Sequence, residues 1–143
     1  MDNDKYLWLL NHRLKENDDW YQQAGKLLGM SDSAFWILYM LYDYSDGITQ
    51  SEICSMSCFP INSSLKKLEA DGIISLVPGS DGRSKKIMLS ASGKELISRT
   101  IVKVRHAEYA ALNGMTDEEK EALISALDKF TRLLNEATHI IRE

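Results

Sequence analysis

Residues 48–89 read ITQSEICSMSCFPINSSLKKLEADGIISLVPGSDGRSKKIML, and this stretch decides the fold. It opens on Thr49-Gln50-Ser51-Glu52, a capping box. The Thr49 hydroxyl and the Glu52 carboxylate each satisfy a backbone N–H that the first helical turn leaves without a partner. A short helix from about Gln50 to Met56 is expected to follow. A second is expected from about Cys58 to Asp71, with Ser57 as its N-cap and Pro60 in the first turn, where a missing N–H does little harm. Gly72 stands where a helix ends in the left-handed conformation. Ile73-Ile74-Ser75-Leu76-Val77 and Lys85-Lys86-Ile87-Met88-Leu89 then flank Pro78-Gly79-Ser80-Asp81-Gly82. Apolar, β-branched runs on either side of such a turn predict a β-hairpin.

The second helix has two chemically distinct faces. At about 100° per residue, Asn62, Ser63, Lys66 and Lys67 fall within one arc, and Ile61, Leu65 and Leu68 fall opposite. The polar arc holds no acid. Asn and Ser can read base edges or hold phosphates, and Lys neutralises phosphates. Two short helices followed by a hairpin with a basic far strand is the order of a winged helix-turn-helix, in which the second helix enters the major groove. At the hairpin tip Arg83 is suited to a narrow minor groove, with Asp81 two residues earlier expected to hold its guanidinium by a bidentate pair.

Working outward, Ser31 caps a helix running to about Tyr44, and Asp46-Gly47 turns the chain into the capping box. Before it, Leu7, Leu10 and Leu14 recur at helical spacing in an element from about Asp4 to Leu28. After the hairpin, Ser90 opens a helix expected to reach about Asn113. Gly114 breaks it, and Thr116-Asp117-Glu118-Glu119 is a second capping box for a last helix ending near Ile141. Leu123, Leu127, Phe130, Leu134, Ala137 and Ile141 recur along that helix as a coiled-coil-like seam, which a second subunit would bury. The expected fold class is mainly α with a small β-hairpin wing, flanked by long terminal helices.

The chain has 143 residues, 17 basic and 21 acidic, for a net charge of -4. That length suits a single domain. The overall sign argues against a nucleic-acid partner, but its distribution argues the other way. Residues 1–56 carry 4 basic and 9 acidic side chains, residues 57–94 carry 6 and 3, and residues 95–143 carry 7 and 9. The positive charge therefore falls on the two elements that would meet DNA, and phosphates respond to the local field. The acidic start Met1-Asp2-Asn3-Asp4 and two cysteines set the expectation of a cytoplasmic protein without an export signal. The apolar run from Ala34 to Tyr42 is too short to span a bilayer, so no membrane partner is expected.

The sequence resembles the MarR family of bacterial transcriptional regulators. The resemblance rests on Ile48-Thr49-Gln50-Ser51-Glu52-Ile53, on residues Asn62 to Ile74, on the wing Asp81-Gly82-Arg83, and on Leu89-Ser90-Ala91-Ser92-Gly93-Lys94-Glu95-Leu96. It extends over nearly the whole chain. It implies one MarR-like domain over 1–143, with a winged helix-turn-helix lobe at 31–90 and dimerisation helices at 1–28 and 91–143. It also implies a homodimer on a pseudo-palindromic double-stranded DNA operator, usually a repressor released by a small ligand or by oxidation. The implied DNA-binding residues are Ser57, Pro60, Asn62, Ser63, Lys66 and Lys67, with Arg83 on the wing. The basic strand adds Lys85 and Lys86. Many members carry Ser or Thr where Pro60 stands, and proline cannot donate a hydrogen bond, so the base contacts at the helix start differ here.

Aromatic residues crowd the first two helices: Trp8, Trp20, Tyr21, Phe35, Trp36, Tyr39 and Tyr42. In the resembling family, ligands such as phenolic acids sit beside helices of this kind. That makes His12, Trp36 and Tyr39 a candidate pocket for a small aromatic or phenolic ligand, with core packing the alternative. Cys58, at a helix start, is a candidate redox switch beside DNA, whereas Cys54 and Cys58 as small buried hydrophobes is the plainer alternative. His12, His106 and His139 are scattered and show no zinc-ligand spacing. No nucleophile motif, phosphate loop or acid pair points to catalysis, and no cofactor is implied. A winged-helix module that binds protein instead of DNA remains the alternative from another functional class.

Overall fold

The structure is a computed structural model that describes residues 1–57 and 60–143. It comprises two compact units, residues 1–104 and 105–143. The first unit holds α1 (Asn3–Leu27), α2 (Asp32–Asp43), β1 (Ile48–Thr49), α3 (Gln50–Met56), α4 (Asn62–Ala70), β2 (Ile74–Pro78), β3 (Lys85–Leu89), α5 (Ala91–Arg99) and the start of α6 (Ile101–Asn113). Side-chain caps set most of these starts. Asp2 Oδ1 accepts from the Lys5 N–H at 2.8 Å, and Ser31 Oγ from Ala34 N–H at 3.2 Å. Both halves of the Thr49–Glu52 capping box form, at 3.1 and 3.4 Å. Such caps are worth about 1 kcal/mol each.

The three strands form one antiparallel sheet in the order β1-β3-β2. The hairpin pairs Ile74 with Leu89 and Leu76 with Ile87, while Ile48 pairs with the other edge of Ile87. The sequence predicts only the two hairpin strands. β1 is two residues long and exists because β3 offers it a ladder, a long-range condition that no local pattern announces. Ile87 thus lies on the central strand and is fully buried, as are Ile37, Leu38, Leu41, Ile48, Ile53 and Ile101. Together with Phe35, Ile61, Leu65, Leu68, Ile74, Ile97 and Val104 they make one core beneath the sheet and the short helices.

Three helix boundaries depart from expectation. α4 begins at Asn62, not near Cys58: Ile61 is its N-cap, with its carbonyl accepting from Leu65 N–H at 2.9 Å. Ser57 instead ends α3 in an extended conformation, its N–H donating to Cys54 O at 3.4 Å. Pro60 therefore precedes the helix and is not in its first turn. The cause is packing, because the buried Ile61 side chain is 2% exposed and pins the point where the helix can start. The helix expected over residues 90–113 breaks at Thr100, whose φ and ψ of -127° and -77° leave the helical region. The buried Thr100 hydroxyl donates to Leu96 O at 2.7 Å, a back-bond that bends helices. Gly72 adopts the expected left-handed conformation, at φ +75°.

The second unit consists of the remainder of α6, then α7 (Asp117–Ala137) and α8 (His139–Arg142). The Thr116–Glu119 capping box forms, with N–H contacts of 3.1 and 3.0 Å. The Thr116 backbone N–H, donating to the carboxylate, and after it the Thr116 hydroxyl hold the Glu119 carboxyl below the usual carboxylate range. The last helix is interrupted at Thr138, whose hydroxyl donates to Leu134 O at 3.0 Å, so Ile141 falls on a separate turn. No residue of α7 is buried. Phe130 is 36% exposed and Leu134 54%, so the apolar seam lies open to solvent within this chain.

Candidate nucleic-acid interface

α3 and α4 are the two short helices of a helix-turn-helix, and the burial along α4 separates its faces. Leu65 and Leu68 point into the core. Asn62, Ser63, Lys66 and Lys67 are all exposed, so the polar arc expected from the helical wheel is a solvent-facing surface. Over the first two turns it carries two cations and no carboxylate, and exposed Glu69 follows near the helix end. Ser64, at the edge of this arc, is half-buried and shares a 2.7 Å hydroxyl–hydroxyl hydrogen bond with Ser33 on α2, which fixes the helix against the core. Among the described residues no side-chain cap bond is made at the α4 N-cap Ile61, and no acid occupies the first turn. The positive dipole end of the helix therefore favours an anion or an acceptor supplied from outside.

One contact joins the two helices at this end. Gln50, the first residue of α3, donates from Nε2 to Asn62 Oδ1 at 3.4 Å. The capping box predicts that Gln50 occupies the first helical position. Nothing in the linear pattern shows that α3 and α4 bring their N-termini together. Gln50 is thus a residue at the candidate interface that sequence reasoning missed.

The wing is the β2–β3 hairpin and its loop. Asp81 organises that loop, though not as expected. Its carboxylate does not pair with the Arg83 guanidinium. Instead Oδ1 accepts from the Arg83 backbone N–H at 2.9 Å, the Ser84 N–H at 3.0 Å and the Ser84 hydroxyl at 3.0 Å. A carboxylate one residue from a turn glycine is better placed to reach adjacent amides than a guanidinium four bonds out on its own flexible stem. The Arg83 N–H bond, followed by those from Ser84, holds the Asp81 carboxyl below the usual carboxylate range. Gly79 N–H closes the loop on Ser84 O at 2.7 Å, and Gly82 turns at φ +71°. Arg83 is left exposed at the tip, with its backbone fixed and its side chain projecting.

Lys85 and Lys86 are adjacent on β3, so strand alternation sends them to opposite faces of the sheet. Lys85 is exposed and Lys86 half-buried. They do not form a single basic pair. Ser57 is half-buried and Pro60 exposed, both in the connection between α3 and α4. Cys58 lies outside the described residues. Cys54 is an exposed free thiol on α3 rather than a buried one.

Of the candidate ligand residues, Trp36 and Tyr39 share one aromatic cluster. Their rings stack with centroids 6.1 Å apart, and Tyr39 also meets Tyr21 at 5.9 Å and Phe35 at 6.0 Å. The Trp36 Nε1 proton is buried and meets no acceptor among the described residues. The ring contact of His12 runs elsewhere: it stacks on Trp8 at 3.8 Å, with Nδ1 2.9 Å from Trp8 O. Among the described residues no group of three or more His, Cys, Asp or Glu is placed to hold a metal ion. No described helix is long and apolar enough to cross a membrane.

These elements define a winged helix-turn-helix with helical extensions, and solved structures place it more finely. The chain has the MarR-type winged-helix fold. It superposes on a MarR family regulator from Neisseria meningitidis with a TM-score of 0.79 at 18% identity, covering 96% of each chain. A MarR family regulator from Silicibacter pomeroyi gives 0.68 at 20% identity, covering 87% of this chain and 86% of that one. The MepR–DNA complex of S. aureus gives 0.62 at 23% identity, covering 94% and 99%. Neither a family model nor a curated protein matches the sequence.

Proposed function

We propose that this protein is a DNA-binding transcriptional regulator, acting as a homodimer on a pseudo-palindromic operator and most simply as a repressor that a small ligand releases. The observation that carries the reading is the solvent-facing arc of Asn62, Ser63, Lys66 and Lys67 on α4, with no acid in the first two turns. It stands in a protein whose net charge is -4. In an acidic chain, an exposed helix surface whose first two turns carry two cations and no carboxylate, the nearest acid being Glu69 near the helix end, is suited to a polyanion. The likeness in fold to a MepR–DNA complex supports the same reading.

In this reading Asn62 and Ser63 meet base edges, and Lys66 and Lys67 neutralise phosphates. Ser57 and Pro60 flank the groove, Lys85 and Lys86 support the wing strand, and Arg83 enters a minor groove from a loop held by Asp81. Residues 31–90 form the DNA-binding lobe of one MarR-like domain, while 1–28 and 91–143 serve dimerisation. The open apolar seam of α7 supports that assignment, since a second copy would cover it. Trp36 and Tyr39, with the buried Trp36 Nε1 proton, are proposed to line a site for a small aromatic or phenolic ligand, with His12 as a further candidate.

Selection from random duplexes followed by titration tests the reading. Specific binding is expected, with a log–log salt slope on the order of -6 or steeper for a dimer contacting ~6–10 phosphates. Arg83→Ala is expected to weaken binding without unfolding the protein. Lys66→Ala is expected to weaken it uniformly across sequences and to flatten the slope by about 1 per subunit. Binding that ignores salt, or no selected sequence at all, would remove DNA from the function.

A further inference from the structure

We infer that Gln50 is a specificity-determining positioning residue that fixes which end of the Asn62 amide faces the DNA; the inference rests on the DNA-binding reading above. Gln50 and Asn62 each occupy the first position of their helix, and among the described residues the two N-termini are tied by the 3.4 Å contact from Gln50 Nε2 to Asn62 Oδ1. An asparagine can present either its oxygen or its NH2 group by a half-turn about the last side-chain bond, and these read opposite chemistry. The oxygen seeks a base donor, and the NH2 group seeks a base acceptor.

The Gln50 proton removes that ambiguity. It claims Asn62 Oδ1, which leaves the two Nδ2 protons as the free end of the amide. Asn62 therefore offers a donor, the complement of a base acceptor such as a purine ring nitrogen. Both side chains lie at the surface, where such a bond contributes little to folding because water competes for each partner. At a dehydrated interface the competition ends, and the orientation becomes the information. The neighbouring chemistry does not oppose this. The first turn of α4 has no acid, and among the described residues no other group competes for the Asn62 amide.

The test uses the full-length protein and the duplex it selects, with every base pair of one half-site replaced in turn. Gln50→Ala and Asn62→Ala are expected to lose discrimination at the same base pair, by about tenfold or more. The double variant is expected to be no less specific than Asn62→Ala alone, and the salt slope should not change. Gln50→Glu offers only acceptors, so it should draw Nδ2 toward itself and turn Oδ1 outward. The preferred base at that position should then switch to one presenting a donor. Circular dichroism and thermal melting establish that each variant is folded. Loss at different base pairs, additive losses, or a flatter salt slope for Gln50→Ala would overturn the inference and leave the DNA-binding reading standing. An unchanged base preference in Gln50→Glu would do the same. A wild-type protein that selects no sequence would overturn both.

Discussion

Gly93 provides a test in which two local rules give opposite signs. It is buried in the first turn of α5, and a Cβ built on it would lie 2.1 Å from Ile73 O and 3.0 Å from Leu89 Cδ2. Helix propensity alone predicts that Gly93→Ala stabilises the chain by about 1 kcal/mol. The packing predicts the reverse. Relief of the clash requires α5 and the start of β2 to separate by roughly 1 Å, since carbon–oxygen contacts below about 3 Å are repulsive. That movement breaks a cluster of bonds. Ser90 N–H donates to Ile73 O at 3.0 Å, and the Ser90 hydroxyl, whose proton is shared between the Gly72 and Ile73 carbonyls, accepts from Gly93 N–H at 3.0 Å.

Loss of two or three such bonds costs about 2–4 kcal/mol, which exceeds the propensity gain and leaves a net destabilisation of about 1–3 kcal/mol. Urea unfolding at one fixed protein concentration reads it out, because a self-associating chain has a concentration-dependent midpoint. With a slope of about 2 kcal/mol/M, the midpoint should fall by about 0.5–1.5 M. Ser92→Ala, an exposed neighbour in the same turn, should stay within about 0.5 kcal/mol of wild type. A Gly93→Ala protein as stable as wild type, or more so, would refute the close approach of α5 to β2.

Two further outcomes are expected. The lowered Asp81 pKa means that its support of the wing loop is fully present above the ordinary aspartate value of 3.8 and is lost as pH falls through the lower, folded value. The amide resonances of Arg83 and Ser84 should titrate together with a midpoint below 3.8, and a midpoint at or above it would contradict the loop geometry. On α7, Leu134→Glu should weaken self-association by about a thousandfold, since an isologous interface buries the new charge twice at roughly 2 kcal/mol each. Sedimentation equilibrium would detect the change, and an unaltered dissociation constant would move the interface off the seam.

What could be read from the sequence was what short-range chemistry sets. Thr49 with Glu52, Thr116 with Glu119, Ser31, Ser90 and Gly72 act on backbone groups within a turn of themselves, and each stands at the helix end expected for it. The faces of α4 were legible for the same reason, because one helical period covers the whole arc. What failed depended on partners distant in sequence. β1 is a strand only by virtue of β3. The start of α4 is set by burial of Ile61 in a core that local spacing does not locate, and the break at Thr100 sits within a continuous helical pattern. The expected pairing of Asp81 with Arg83 failed differently. Opposite charges two residues apart suggested a side-chain bridge, whereas the turn brought backbone N–H groups closer.

Thr49 belongs to two elements at once. It is the last residue of β1, paired with Lys86, and the N-cap of α3, bonded to Glu52. The ladder that places it closes a long loop between Ile48 and Ile87, which spans both short helices and most of the wing. Closing such a loop spends chain entropy before it returns any contact energy, so this pairing belongs late in folding. Once it is made, the start of α3 and the base of the wing share a single residue. A chain with its hairpin melted also lacks the ladder that anchors the start of α3, so melting of the wing loosens that helix as well.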